Sequence, residues 1–491
     1  MTLQSDVTTT FFAPESWSGC YYSAGWRAGT AMAVIEPATG EEIGSYGAAD
    51  VTDLDAAVER AVAAQQVWAA MPYTEKAALF RRAGDLIVEH TDILADWLVR
   101  ESGSGMGKAQ FEVSLVSAEY YNAAAMVAAP YGEMLRSGKP RFSFSRRVPA
   151  GVVGVIAPFN FPQILASRSV APALAAGNAV ILKPDPRTSV SGALFLAAIL
   201  EEAGFPEGLF HALPGDAEVG AALVAHRDVR IISFTGSTGA GRKVGAAGAE
   251  HLKRVHLELG GNNALIVMPG ADVERAAAAG AWGSFLHQGQ ICMTTGRHLV
   301  HASIYDEYVE LLTKKAAAIP VGNPAEGLPL GPIIDERQRD SIHRLVTASV
   351  QAGARLTTGG TYDGLFYRPT VLADSRPDHP GFAEEIFGPV APVLRFETIE
   401  EAIEIVRQSE YGLSIGILTN DFLGALEIAD KIPVGVVHIN DQTVDDEVTI
   451  PFGGVGASGT GSRFGGIEAN LEAFTETQWV TAERVIPFYP F

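Results

Sequence analysis

The feature that most restricts this 491-residue chain is a rhythm that starts at Gly151. GVVGVIA, AVILK (179–183), LFHAL (209–213), VRIISFT (229–235) and KRVHLEL (253–259) read as short buried strands. Residues 162–175, 189–203, 216–226 and 239–249 read as helices between them. Apolar runs alternating with helical tracts predict βαβ units, hence a parallel sheet with helices on both faces. Ligands bind such sheets beyond the carboxyl ends of the strands.

A second alternating block follows Gly260-Gly261. NALIVM, RHLVHA, GILTN (416–420) and GVVHIN (435–440) read as strands, and 271–287 and 304–319 as helices. Two α/β domains meeting near residue 260 is the economical reading. Residues 1–50 read as short strands and turns. Residues 52–68 read as a helix, with Thr52 and Asp55 in a capping-box pattern and Leu54, Val58, Val62, Gln65 and Trp68 near helical spacing. Pro72 ends it. Thr74 starts a second helical tract bent near His90-Thr91, and 114–129 is an Ala-rich helix. Residues 130–149 alternate and are basic, which suits an extended hairpin; the plainer alternative is a surface loop. A hairpin that leaves its domain has unpaired edges and tends to pair with another subunit.

Composition narrows the partners. Lys plus Arg is 36 against 57 Asp plus Glu, a net charge of −21. So acidic a chain repels phosphate backbones, and no nucleic-acid partner is expected. Apolar residues make up 47%, enough for a large core, which excludes a disordered chain. Only Cys20 and Cys292 are present, too few for a disulfide framework and normal for a reducing compartment. No HExxH or CxxC spacing occurs, so no metal is expected. The N-terminus lacks the basic and apolar regions of a secretory signal. No run approaches the ~18 apolar residues that span a bilayer. A cytoplasmic protein without a membrane partner is the expectation.

Five segments carry chemistry. Cys292 lies in GQICMTTGR, a polar, turn-prone stretch after an amphipathic helix. A lone cysteine is usually a small buried hydrophobe, but here a thiol can be exposed. Glu258 ends an apolar strand beside a Gly pair, in HLELGGNN. It reads as a surface carboxylate or as a partly buried base with a raised pKa at a strand's carboxyl end. Asn160, in VIAPFNFP, either caps the helix that follows or aims an amide at an oxyanion, and the two readings stand level. FTGSTGAG (234–241) is a Gly-rich strand-to-helix turn able to bring backbone N–H groups to a phosphate, though it matches neither GxGxxG nor the Walker pattern. Lys183, in ILKPD, adds a cation beside the same crevice or is a solvated strand-end lysine.

Taken together, APFNFP, ILKPD, FTGSTGAG, LELGG, GQIC, EEIFGPV and PFGGVGASG, in that order, resemble the aldehyde dehydrogenase superfamily. The resemblance runs from about Thr52 to Trp479, and Cys292 stands 34 residues after Glu258, similar to the family's interval. It implies an α/β fold with a Rossmann-type parallel-sheet cofactor domain (1–129 and 148–259), a second α/β catalytic domain (260–469), and a small β oligomerisation hairpin with the tail (130–147 and 470–491). By that resemblance Cys292 is the nucleophile, Asn160 an oxyanion donor and Glu258 the base that activates water. NAD is implied as cofactor, with Ile156, Phe159, Lys183, Ser237, Glu385 and Phe387 expected around it.

Two departures from the family pattern matter. Pro186 stands where many NAD-preferring members carry a Glu, so NADP is expected to be tolerated. Ser462-Arg463 replaces an Arg-Glu pair that helps move protons near the base, leaving the proton route open. KPDPRT, RSVAPAL and PFGGVGASGTGSRFGG are most similar to the benzaldehyde and vanillin dehydrogenase branch, implying an aromatic aldehyde. Phe161, Ile164, Leu165, Ile291, Met293 and Phe452 are expected to line an apolar slot suited to a flat ring. Arg168 reaches a ring substituent or is a buried arginine paired with a carboxylate; the second is preferred. A homodimer or homotetramer is expected from the hairpin and tail. The alternatives are the same chemistry on aliphatic aldehydes or semialdehydes, a non-catalytic nucleotide-binding relative, or acyl transfer to a thiol such as coenzyme A.

Overall fold

The computed structural model describes residues 11–491; the reading of residues 1–10 as part of the N-terminal strand-and-turn tract lies outside them. Three sheets organise the chain. The first has seven strands in the order Arg254–Glu258, Val229–Thr235, Val152–Ile156, Ala179–Lys183, Phe210–Ala212, Cys20–Ser23, Trp26–Ala28. Its first five strands are parallel and the N-terminal pair antiparallel. Strand order reverses at Val152–Ile156, so the crevice above that strand is where a sheet of this type takes a ligand.

The register lines up the residues that the sequence singled out. Thr235 pairs with Glu258, Phe234 with Ile156, and Ile156 with Lys183. Ile156 and Lys183 therefore stand in one row at the carboxyl edge, with Glu258 one residue farther along its strand. The second sheet also has seven strands: Arg355–Thr358, Thr370–Ala373, Val390–Phe396, Thr295–His301, Asn263–Val267, Ser414–Leu418, Val436–Ile439. All are parallel except the Arg355–Thr358 edge.

Helices pack where their apolar faces dictate. Val51–Ala70 buries Leu54, Ala57, Val58, Ala61, Gln65 and Trp68. The Trp68 indole N–H donates to Leu174 O and the Gln65 amide to Gly177 O, pinning this helix to the end of Pro162–Ala175. Its capping box is Asp50 and Asp53, each side chain accepting from the other's backbone N–H, two residues before the expected Thr52/Asp55 pair. Val62, expected on the buried face, is exposed, because the buried stripe runs through Ala57 and Ala61 instead. The expected bend at His90 separates Tyr73–Glu89 from Thr91–Ser102. The Ala-rich helix begins earlier than expected, running Met106–Met126. The 189–203 tract opens with a wide π turn, Val190–Leu194, whose backbone N–H groups at Val190 and Ser191 donate to the buried Glu101.

The third sheet is the expected hairpin, Gly132–Met134 and Phe142–Pro149. The long arm pairs over all eight residues with Thr475–Ala482 of the same chain. Its first partner is therefore the chain's own tail, which leaves other edges and Phe142 and Trp479 exposed. The Arg254–Glu258 strand is the edge of the first sheet. Its open side is closed by a late segment: Leu259 N–H donates to Ser458 O, Leu257 N–H to the Thr460 hydroxyl, and Glu258 bridges Gly459. Arg254 donates to the carbonyls of Ala473 and Thr475, and the His256 ring meets Ser462 and Ala473 O.

Candidate active site

Cys292 follows a tight reversal. Val273–Phe285 ends against the short helix Leu286–Gly289, where His287, Gln288 and Gly289 all have positive φ. A Cβ on Gly289 would stand 2.2 Å from Gly388 O, so only glycine fits there. The reversal is fastened on several sides. The Gln288 amide donates to Gly103 O, Ile334 N–H donates to the Gln290 side chain, and Thr294 Oγ1 donates to Gly289 O. Asn263 donates to both Cys292 O and Thr294 O. Cys292 is half-buried as a residue. Burial pushes its thiol up to about 12, with the carboxylates of Glu385, Glu258 and Asp446 adding to the shift. At neutral pH the free protein therefore holds a thiol that needs a base.

Glu258 is buried, and neither carboxylate oxygen has a hydrogen-bond partner. That desolvation raises its pKa well above the usual carboxylate range, against the opposing charges of Arg463 and Arg168. Cys292 and Glu258 line one cavity, together with Leu165, Arg168, Ser169, Thr235, Leu259, Phe452 and Phe464. Thiol and carboxyl thus share a space although they come from different sheets.

The helix-cap reading of Asn160 does not hold. Pro162–Ala175 has Phe161 at its N-cap, with no side-chain cap from Asn160. The helix start is satisfied instead by Glu112, which accepts from the N–H groups of Gln163 and Ile164 at 2.8 and 3.2 Å. The Asn160 amide donates to Gln290 O at 2.9 Å, two residues before Cys292, and one amide hydrogen remains. Glu112 and its partner Lys108 escaped the sequence reading; their only signal was the i,i+4 Lys-Glu spacing.

The expected slot residues divide. Ile291, Met293 and Phe452 form a buried cluster with Leu413, and Phe161 and Cys292 pack against it. Leu165 is on the cavity wall. Ile164 is not: one step along the helix turns its side chain into the core of the first sheet. Arg168 is nearly buried, donates to Asp446 at 2.9 Å and to Glu447 O at 3.0 Å, and lies over the Phe452 ring. That is the preferred paired arrangement, on the wall of the same cavity.

The residues expected around a cofactor gather at the sheet's carboxyl edge. Lys183 is buried there, and burial lowers its pKa. Ser237 is the exposed N-cap of Thr238–Glu250. Glu385 accepts from Gly261 N–H at 3.0 Å, and burial raises it to about 7. A Cβ on Gly260 would stand 2.2 Å from that carboxylate, which explains the Gly pair. Phe159 and Phe387 meet edge to face at 5.9 Å, and the Arg187 guanidinium covers Phe159 at 4.2 Å. Arg187 in turn bridges Asp185 of the first half to Asp335 of the second. Arg463 donates to Gly454 O and Ser462 O and acts on Glu258 through charge alone. Among the described residues no cluster of His, Cys, Asp and Glu is arranged to hold a metal ion. No described helix is long and apolar enough to cross a membrane.

A family model described as "Aldehyde dehydrogenase family" matches residues 26–480. The chain belongs to the aldehyde dehydrogenase family. It is thus an oxidoreductase of the class that acts on aldehydes. It is 60% identical to a vanillin dehydrogenase of an Amycolatopsis species, over 98% of this chain and 100% of that protein. It is 47% identical to a benzaldehyde dehydrogenase [NAD(+)] of Pseudomonas putida, over 97% and 98% of the two chains. Among solved structures it resembles betaine aldehyde dehydrogenase of Staphylococcus aureus in complex with NAD+. That match has a TM-score of 0.94 and 29% identity, and covers 97% of each chain.

Proposed function

We propose that this chain oxidises aromatic aldehydes to carboxylic acids with NAD, and that it accepts NADP. The observation that carries the reading is the cavity shared by Cys292 and Glu258, walled by Leu165 and Phe452 and bordered by Phe161, Ile291 and Met293. A flat ring suits such walls better than a flexible polar chain does. The names of the vanillin and benzaldehyde dehydrogenases at 60% and 47% identity support the same substrate class.

The chemistry follows from the protonation states. Glu258 takes the proton of the Cys292 thiol, and the thiolate adds to the aldehyde carbon. The carbonyl oxygen becomes an oxyanion received by the free Asn160 N–H and the Cys292 backbone N–H. Bound NAD supplies the hydride acceptor; loss of hydride leaves an acyl thioester on Cys292. Glu258, having released its first proton, then deprotonates water, which cleaves the carbon–sulfur bond and frees the acid.

Ile156, Lys183, Ser237, Glu385, Phe159 and Phe387 fit a dinucleotide: a strand-end cation, a helix N-terminus, a carboxylate for ribose hydroxyls and two rings. Pro186 supplies no carboxylate to repel a 2′-phosphate, and Asp185 is neutralised by Arg187. Residues 1–129 and 148–259 are assigned to the cofactor domain, 260–469 to the catalytic domain, and 130–147 with 470–491 to assembly as a homodimer or homotetramer.

The test is a kinetic panel of aromatic and aliphatic aldehydes, each with NAD and with NADP, before and after Phe161→Ala. Benzaldehydes are expected to give the higher kcat/KM, and Phe161→Ala to hurt them far more than a short aliphatic aldehyde. Equal losses, or a preference for aliphatic substrates, refute the aromatic slot. No turnover with NADP refutes the relaxed cofactor choice, and an acyl-thiol product refutes water as the acceptor.

A further inference from the structure

Beneath the turn that carries Asn160 lies a buried ion pair that none of the chemistry above uses. Lys108 and Glu112 sit one helical turn apart on Met106–Met126, both buried, with Lys108 Nζ 2.6 Å from Glu112 Oε2. An ammonium has three donors, and all three are spent: on Glu112, on the Ser104 hydroxyl at 3.0 Å, and on Asn160 O at 2.8 Å. The Phe161 ring lies over the same nitrogen at 4.0 Å. The other Glu112 oxygen receives the N–H groups of Gln163 and Ile164. Residues 160, 161, 163 and 164 are therefore all held by one pair of charges from a separate helix.

So costly an arrangement needs a reason beyond stability. Burying an ion pair returns little free energy compared with apolar packing of the same volume, whereas it fixes geometry. What it fixes here is the segment with the Asn160 amide at one end and the Phe161 ring beside it. We propose that Lys108 and Glu112 are positioning residues that aim the Asn160 amide at the aldehyde oxygen. This rests on the oxyanion role proposed above for Asn160. A misplacement of about 1 Å in such a group costs on the order of a hundredfold in rate.

The test is a double-mutant cycle read by single-turnover NADH formation, with benzaldehyde as substrate. Lys108→Met alone strands a buried carboxylate, so it is paired with Lys108→Met/Glu112→Gln, which removes both charges and keeps an acceptor for the helix start. In the Asn160-containing protein the double variant is expected to slow NADH formation roughly 10- to 100-fold. NAD binding, followed by fluorescence, is expected to stay within about twofold, because of the dinucleotide residues only Phe159 lies on this turn. In an Asn160→Ala background the same change is expected to cost less than about threefold, since there is no amide left to aim. Lys108→Arg, which keeps the cation, is expected to restore part of the rate. Equal losses in both backgrounds, or a folded double variant with an unaltered rate, overturn the proposal. If Asn160→Ala alone leaves the rate unchanged, the oxyanion assignment itself falls, and the aiming role with it.

Discussion

Two turns meet where the Asn160 amide bonds Gln290 O, and they are held by different means. The Cys292 turn is fixed by its own backbone conformation together with neutral contacts from several segments. Consecutive left-handed residues, a glycine pressed against Gly388 and a lattice of amide bonds leave it one conformation. The Asn160 turn has no such internal order and is fixed from outside, by Lys108 and Glu112. The first is shaped by left-handed backbone and neutral amide bonds, and the second by a buried pair of charges on another helix. Reactivity is thus placed by backbone geometry and neutral hydrogen bonds, and orientation by buried charge.

Cys292→Ala tests the first turn most severely. It is expected to abolish turnover while NAD still binds, measured by NADH formation and by fluorescence titration. Turnover surviving at a measurable fraction would remove the nucleophile from that turn. Glu258 belongs to neither turn and serves both steps. Glu258→Gln is expected to lower kcat by roughly 10²- to 10⁴-fold. The sign of the pH dependence follows from the raised carboxyl: it is protonated and idle at low pH, so kcat rises as pH climbs through its elevated pKa. Its stability contribution runs the other way, present below the ordinary carboxylate pKa and lost as pH rises through the raised one. A pH–kcat profile of the variant that keeps the same rise would place the titrating group elsewhere.

Asn160→Ala probes the turn held from outside. It is expected to cost about 10²- to 10³-fold in the hydride-forming step, read in a single turnover. The smallest effect falls on the backbone of the first turn. Gly289→Ala forces a Cβ onto Gly388 O and is expected to lower stability by about 1–3 kcal/mol, followed by denaturant unfolding. If Gly289→Ala is silent while Lys108→Met/Glu112→Gln is severe, the contrast between the turns sharpens. If both are silent, it collapses.

This contrast also explains what could be read from the sequence. The strands at 179–183 and 229–235 are where their apolar runs placed them, because burial on both faces leaves an unbroken hydrophobic signature. The Cys292 turn was legible because Gly289 and its polar neighbours are contiguous. Asn160 stayed ambiguous because the helix start it precedes is capped by Glu112, and no local pattern announces a cap supplied by another helix. Ile164 was misplaced for a related reason. On a helix buried on every side, apolar character gives no phase, so the residue facing the cavity, Leu165, cannot be told from its neighbour facing the core. The capping box slipped by two residues because Asp50 and Asp53 offer the same spacing as Thr52 and Asp55.

The late segment that closes the edge of the Glu258 strand carries a consequence for how the molecule is made. That strand emerges from the ribosome barely past the midpoint of synthesis, yet its outer flank stays bare until residues 458–475 arrive. Through that interval the nascent polypeptide offers an unsatisfied β edge to any other chain nearby. A product cut short before Ser458 would therefore be both inert and sticky.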